Sequence, residues 1–264
     1  MKLKKQNSHE RDSSIFFDEE PHIYYIDGEA YDISVTGFVH NFFPHFNADL
    51  IISKMMNSRN WSNSKYYGMT KDEIKDSWEE NKNLAAELGT IMHKDIELFY
   101  NDIEVSNKSK EFKYFLNFHE DHKDLKPYRT EWEVFDETLR LAGSIDMIFE
   151  KDDGSLVIYD WKRSKEIKEE NTWDNGNFPV SHLPHANYWH YALQLNIYKQ
   201  ILENKYDKKI SEMYLLWLHP INNNYIKLKV IDLKDEVNLL FEERKKEISK
   251  VKKIKNKVSL EDKN

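Results

Sequence analysis

The chain has 264 residues, no cysteine, and 39 Lys and Arg against 47 Asp and Glu, a formal charge of −8. Without cysteine there are no disulfides, thiolate zinc sites, iron–sulfur clusters or thiol nucleophiles, so any metal must rest on oxygen and histidine ligands. No run approaches 18 apolar residues and the basic start lacks an apolar signal core, which predicts a soluble, intracellular protein.

Residues 1–14 are polar, sum to +3 over 1–11, and predict a frayed segment. Ile15 to Tyr31 holds short aromatic runs broken by Asp27-Gly28, the pattern of a β-hairpin. Ser34 precedes an apolar-periodic stretch that ends before Pro44, and Asn47 precedes another reaching about Asn57; both are placed as helix caps. Residues 58–69 predict a loop. Thr70-Lys71-Asp72-Glu73 is a capping box that starts a helix, Asn81 to Asn83 predicts a break, and further helices are expected over about 84–100 and 109–119.

Pro127 marks a change of period. Tyr128–Phe135, Leu139–Glu150 and Ser155–Lys162 predict consecutive antiparallel strands, followed by a polar loop over 163–185 that is long enough to suggest function. A helix from about His185 to Asn204, strands over 210–218 and 225–230, and a last helix from about Lys234 complete the chain. Residues 244–258 sum to +7, which leaves −18 on the body between the two basic ends.

The chemistry concentrates on Gly143-Ser-Ile-Asp146 and Asp160-Trp161-Lys162, on adjacent predicted strands. Side chains alternate along a strand, so Asp160 and Lys162 share a face and Trp161 faces away, leaving its carbonyl beside them. A two-residue Asp153-Gly154 turn would put Asp146 opposite Trp161. A three-residue Asp152-Asp153-Gly154 turn, with Gly154 left-handed, puts it opposite Asp160, and that register is the one expected. Two carboxylates at one point repel unless a cation joins them, and hard oxygen ligands favour Mg²⁺ or Mn²⁺. Lys162 is then placed to offset charge on a phosphoryl group.

Upstream, His93 and Glu97 share a helix face four residues apart, after Gly89. A lone helical His is more often structural than a ligand. Downstream, Gln194 and Tyr198 share another helix face, with packing and site roles evenly weighted. Arg163, Lys165 and Lys168 follow the second strand and are placed to meet phosphates. Trp61, Tyr66, Tyr67, Trp173, Tyr188 and Trp189 are candidates to stack unpaired bases.

In this order, Gly89-x-x-x-His93-x-x-x-Glu97, Gly143-x-x-Asp146, Asp160-x-Lys162 and Gln194-x-x-x-Tyr198 resemble the motif series of the RecB-like branch of the PD-(D/E)XK nucleases, over roughly residues 22–220. Viral and phage exonucleases and the mitochondrial genome maintenance exonuclease are similar in pattern, as is Ser34-Val35-Thr36 after an aromatic hairpin. The resemblance implies that His93, Asp146, Asp160 and the Trp161 carbonyl bind a divalent metal, that Lys162 is the catalytic lysine, and that Glu97, Gln194 and Tyr198 support the site. Ile145 replaces the name-giving proline and Asp160 a frequent Glu, variants usual in that branch.

The expected fold is α/β: a restriction-endonuclease-like core with a central mixed sheet of four or five strands flanked by helices, preceded by a helical region. The expected division is 1–14, a basic N-terminus; 15–126, a hairpin and helical channel wall carrying His93; 127–243, the nuclease core; and 244–264, a basic helix or tail. The expected function is a Mg²⁺- or Mn²⁺-dependent DNA nuclease, an exonuclease favouring single-stranded ends, with Asp146, Asp160, Lys162 and Glu97 catalytic. Arg163, Lys165, Trp173 and Ser34 would contact DNA, and a viral or phage source with a part in repair or recombination is implied. The alternatives are a structure-specific endonuclease on the same site and a binding module without catalysis.

Overall fold

The computed structural model describes the backbone of residues 1–31 and 33–261, and side chains as far as Val251. The chain opens with helix α1 (Lys2–Gln6) and a 3-10 turn (Glu10–Ser13), then an antiparallel meander of β1 (Ile15–Asp18), β2 (Ile23–Ile26) and β3 (Glu29–Tyr31). Asp27 and Gly28, with φ of 49° and 83°, join β2 to β3 in the left-handed conformation that two-residue hairpin turns need.

Helices α2 (Val35–His40) and α3 (Ala48–Met56) start at Ser34 and Asn47, whose side chains accept the N–H of Gly37 and Leu50. Thr70 and Glu73 cap α4 (Lys71–Tyr100) reciprocally. The helix break expected at Asn81 to Asn83 does not occur. Asparagine is a weak breaker with no φ or N–H constraint, and Asn81 instead donates to the Ser77 carbonyl one turn back. The result is one 30-residue helix, about 45 Å long at 1.5 Å per residue. Its first turn is buried at Ile74, and its last third is buried on one side through Met92, Ile96 and Tyr100. After α5 (Lys110–Asp121) come β4 (Lys126–Asp136), β5 (Leu141–Glu150) and β6 (Leu156–Lys162), then α6 (Asn187–Lys205), β7 (Ile210–Trp217), β8 (Ile226–Lys229) and α7 (Lys234–Glu261).

Five strands form the central sheet in chain order, antiparallel except for the parallel pair β6 and β7, which α6 connects. A parallel pair needs such a crossover, and the mixed sheet follows from it. One face packs on α2, α6 and α7 through residues such as Phe38, Ile158, Leu195 and Val237. The other packs on α4 and α5 through Met92, Phe115, Phe149 and Trp161.

Residues 1–14 are not frayed. Leu3 is 4% exposed in the α4/α5 core, and Asp12 pairs at 2.8 Å with Arg129 of β4, whose side chain is 2% exposed. Asp12 also accepts the Trp132 indole N–H, and the Asn7 carbonyl accepts from Arg129. A buried guanidinium demands such partners, and composition alone did not disclose it. No helix among the described residues is long and apolar enough to cross a membrane.

Candidate active site

Strands β5 and β6 pair Met147 with Tyr159 and Glu150 with Leu156, and Asp146 and Asp160 are the next residues of the two strands beyond the last pair. The turn is the three-residue one: Gly154 has φ +77°, its N–H donates to the Lys151 carbonyl at 2.9 Å, and the Lys151 N–H donates to the Ser155 carbonyl at 2.8 Å. Tyr159 and Trp161 bury their rings toward α5, which turns Asp160 and Lys162 to the opposite face. Asp146 Oδ2 accepts the Trp161 backbone N–H at 2.7 Å, so its carboxylate lies across the gap between the strands.

A local reversal brings in another carboxylate. Ile145 and Met147 are two apart, yet they lie in different cores, so β5 turns over at Asp146. The partner strand does so as well, because Glu131, between the pairs Thr130↔Met147 and Trp132↔Ile145, has φ +42°. A left-handed glutamate inside a strand is strained, and such strain concentrates at functional sites. Ser144 Oγ donates to Glu131 Oε2 at 2.9 Å and fixes the carboxylate.

Helix α4 delivers His93. Its Nε2 donates to the Trp161 carbonyl at 2.9 Å, while Nδ1 faces Asp146 Oδ2 at 3.5 Å and Glu131 Oε1 at 3.8 Å. Ligand atoms of His93, Glu131 and Asp146 lie within 4.8 Å of one another, a grouping that can hold a metal ion. Burial disfavours the imidazolium, but Asp146 and Glu131 outweigh it and push His93 up to about 9. Asp160, its side chain 5% exposed, is pushed up to about 6 by burial despite Lys162 Nζ 2.6 Å away. Burial also raises Asp146, against the pull of His93. Asp160 Oδ2 has that ammonium at hand yet accepts no hydrogen bond of ordinary geometry. The His93 and Glu131 side chains are 30% and 31% exposed, so the cluster opens to solvent on their side.

Gln194 and Tyr198 lie on α6 and pack against β5 and α2. A Cβ on Gly143 would lie 2.5 Å from the Tyr198 hydroxyl, so glycine is what admits the phenol against β5. Gln194 Nε2 donates to Tyr198 Oη at 3.5 Å and to Thr36 Oγ1 at 3.1 Å, tying α6 to α2. Ser34 caps α2 with its side chain and forms a backbone bridge beside Ala142.

Other residues singled out in the sequence stand apart. Glu97 pairs with Lys94 at 2.8 Å instead of turning to the carboxylates. Arg163 Nε is held by Glu111 at 2.5 Å, with its side chain 13% exposed. Lys165 is exposed, and Trp173 is 90% exposed on the 163–186 loop. Glu131 went unmarked in the sequence because nothing distinguishes it from Glu133 there. Only its backbone conformation and the turnover of β5 bring it to His93.

The family model of the PD-(D/E)XK nuclease superfamily matches residues 108–260, a span holding Asp146, Asp160, Lys162, Gln194 and Tyr198 but neither His93 nor Ser34. No curated protein matches the chain. A solved structure described as the crystal structure of SSO0001 is 14% identical, with 94% of this chain and 82% of that one covered, at a TM-score of 0.35. The family match extends over more than half of the sequence and includes both paired strands and the crossover helix behind them, so the chain belongs to the PD-(D/E)XK nuclease superfamily.

Proposed function

We propose that the protein is a Mg²⁺- or Mn²⁺-dependent DNA nuclease that acts as an exonuclease on single-stranded ends. The observation that carries this is the convergence of two buried carboxylates, Asp146 and Asp160, from paired strands beside Lys162. The donors suit a hard divalent ion: the grouped ligand atoms are those of His93, Glu131 and Asp146, and the Asp160 oxygen, outside that group and beside Lys162, is short of hydrogen bonds. Asp146, Asp160, the Trp161 carbonyl and His93 would hold it, with Glu131 at the open side. Such an ion would supply Lewis acidity toward the phosphodiester and ease deprotonation of water.

The chain's own residues do the rest. The Lys162 ammonium offsets charge developing on the phosphoryl oxygens, and the Trp161 N–H holds Asp146 in place. Glu97, through its pair with Lys94, steadies α4 beneath His93. Lys165 and Trp173 meet the strand beyond the cleaved bond, with Arg163 and Ser34 acting through the elements that they brace. Preference for unpaired DNA is supported by rings free to stack, Trp173 at 90% and Tyr67 at 61% exposure, at about 1 to 3 kcal/mol per base. The requirement for an end, and placement in the RecB-like branch, rest on the motif resemblance.

End-labelled single- and double-stranded DNA, with and without Mg²⁺ and Mn²⁺, tests the proposal. Cleavage is expected only with metal, and Asp160→Ala and Lys162→Ala each lower kcat by about 10²- to 10³-fold in folded protein. Wild-type rates in either variant would refute the assignment. Digestion of circular single-stranded DNA would show instead an endonuclease.

A further inference from the structure

Lys162 has a second neighbour besides Asp160. Its ammonium stands 4.5 Å from the ring centroid of Tyr191, on α6. Tyr191 lies three residues before Gln194 and seven before Tyr198, so it extends their stripe on one helix face toward the catalytic strand. The ring is itself held: its hydroxyl and Ser164 Oγ are 2.7 Å apart, and the Ser164 carbonyl accepts the Trp217 indole N–H at 2.6 Å. The Lys162 carbonyl accepts the Leu218 N–H at 2.8 Å, which fixes the backbone beneath the ammonium.

We infer that Tyr191 is a positioning residue for Lys162, keeping the ammonium directed at the scissile phosphate when Asp160 is engaged elsewhere. The inference rests on the nuclease reading. A carboxylate shared with a divalent cation attracts an ammonium less, and the two cations repel each other, so Asp160 alone cannot hold Lys162 in the loaded site. The face of an aromatic ring attracts a cation without neutralising it or accepting its proton. Tyr191 therefore holds the ammonium beside Asp160 without a competing ion pair.

Two measurements test this. In protein labelled with ¹³C-lysine, the Lys162 ε-methylene protons should show an upfield ring-current shift that survives addition of Mg²⁺, persists in Tyr191→Phe and disappears in Tyr191→Leu. In the cleavage assay, Tyr191→Leu should lose about tenfold or more in kcat with KM unchanged, equivalent to about 1.4 kcal/mol, whereas Tyr191→Phe stays within about threefold of wild type. Loss of the shift on adding Mg²⁺, a Tyr191→Phe variant as impaired as Tyr191→Leu, or full kcat in Tyr191→Leu would overturn the inference. Lys162→Ala, assayed alongside, separates the failures. If it is inactive while Tyr191→Leu is unaffected, only the role of Tyr191 falls; if Lys162→Ala is active, the nuclease reading falls as well.

Discussion

At the scale of single residues, the centre works by confining groups that would separate in water. Glu131 illustrates the cost, since a left-handed backbone in a strand is tolerated only where the surroundings over-determine it. Glu131→Gln keeps the shape and the contact with Ser144 but removes one of the two carboxylates that raise His93. The His93 pKa, followed by NMR, should fall from about 9, and calorimetry should show divalent-ion affinity reduced by about 10- to 100-fold. Gly143 is the complementary case, in which absence of a side chain is the function. Gly143→Ala drives a methyl group into the Tyr198 hydroxyl, and denaturant titration should show a loss of about 1 to 3 kcal/mol. A substitution at the solvent-facing Gly89, where a Cβ would meet nothing within 4 Å, carries no such penalty.

At the scale of elements, the N-terminal segment is a strap across β4. Burial alone would raise the Asp12 carboxyl, but Arg129, the His9 N–H and Trp132 hold it below its usual value. A depressed carboxylate stabilises the fold above its unfolded pKa near 4, and that contribution is lost as pH falls through the lower folded value. Asp12→Ala leaves the Arg129 guanidinium buried without its carboxylate, and about 3 kcal/mol of stability should be lost, read by urea unfolding at pH 7. Amide exchange over residues 1–14 should accelerate in the variant, and in the wild type as pH is lowered below 4. The helix starts were well marked in the sequence where a capping residue was read, at Ser34, Asn47 and Thr70. The continuity of α4 and the docking of α1 depend on contacts made far along the chain, and no local pattern announces them.

At the scale of the whole molecule, a charge of −8 belongs to a protein whose acidic groups serve in part as the proposed ion site. A bound divalent ion reverses the local field, while the remaining negative surface disfavours coating of duplex DNA. The basic stretch over 244–258 lies on α7, and Arg244 there is a packing residue, 7% exposed and donating to the Leu139 carbonyl at 3.0 Å. Side chains beyond Val251 lie outside the described residues. Removing residues 250–264 should leave cleavage intact at low salt while weakening DNA binding, seen as a raised KM and a shallower dependence on salt.

Periodicity, caps and turn residues were sufficient to place most helices and strands and the β5/β6 turn, because each depends on neighbours a few residues away, whereas the unbroken α4, the helix α1 and the parallel pairing of β6 with β7 were not legible there. The three-residue Asp152-Asp153-Gly154 turn, with Gly154 left-handed, goes with the register in which Met147 pairs with Tyr159. The tertiary structure decided which side chains meet around Asp146 and Asp160. It brought in Glu131 through a reversal of two strands, placed Tyr191 over Lys162, and turned Glu97 and Arg163 to other partners. Those outcomes rest on the packing of α4 and α6 against opposite faces of one sheet, where distances between residues remote in sequence are set by the whole core and not by any local rule.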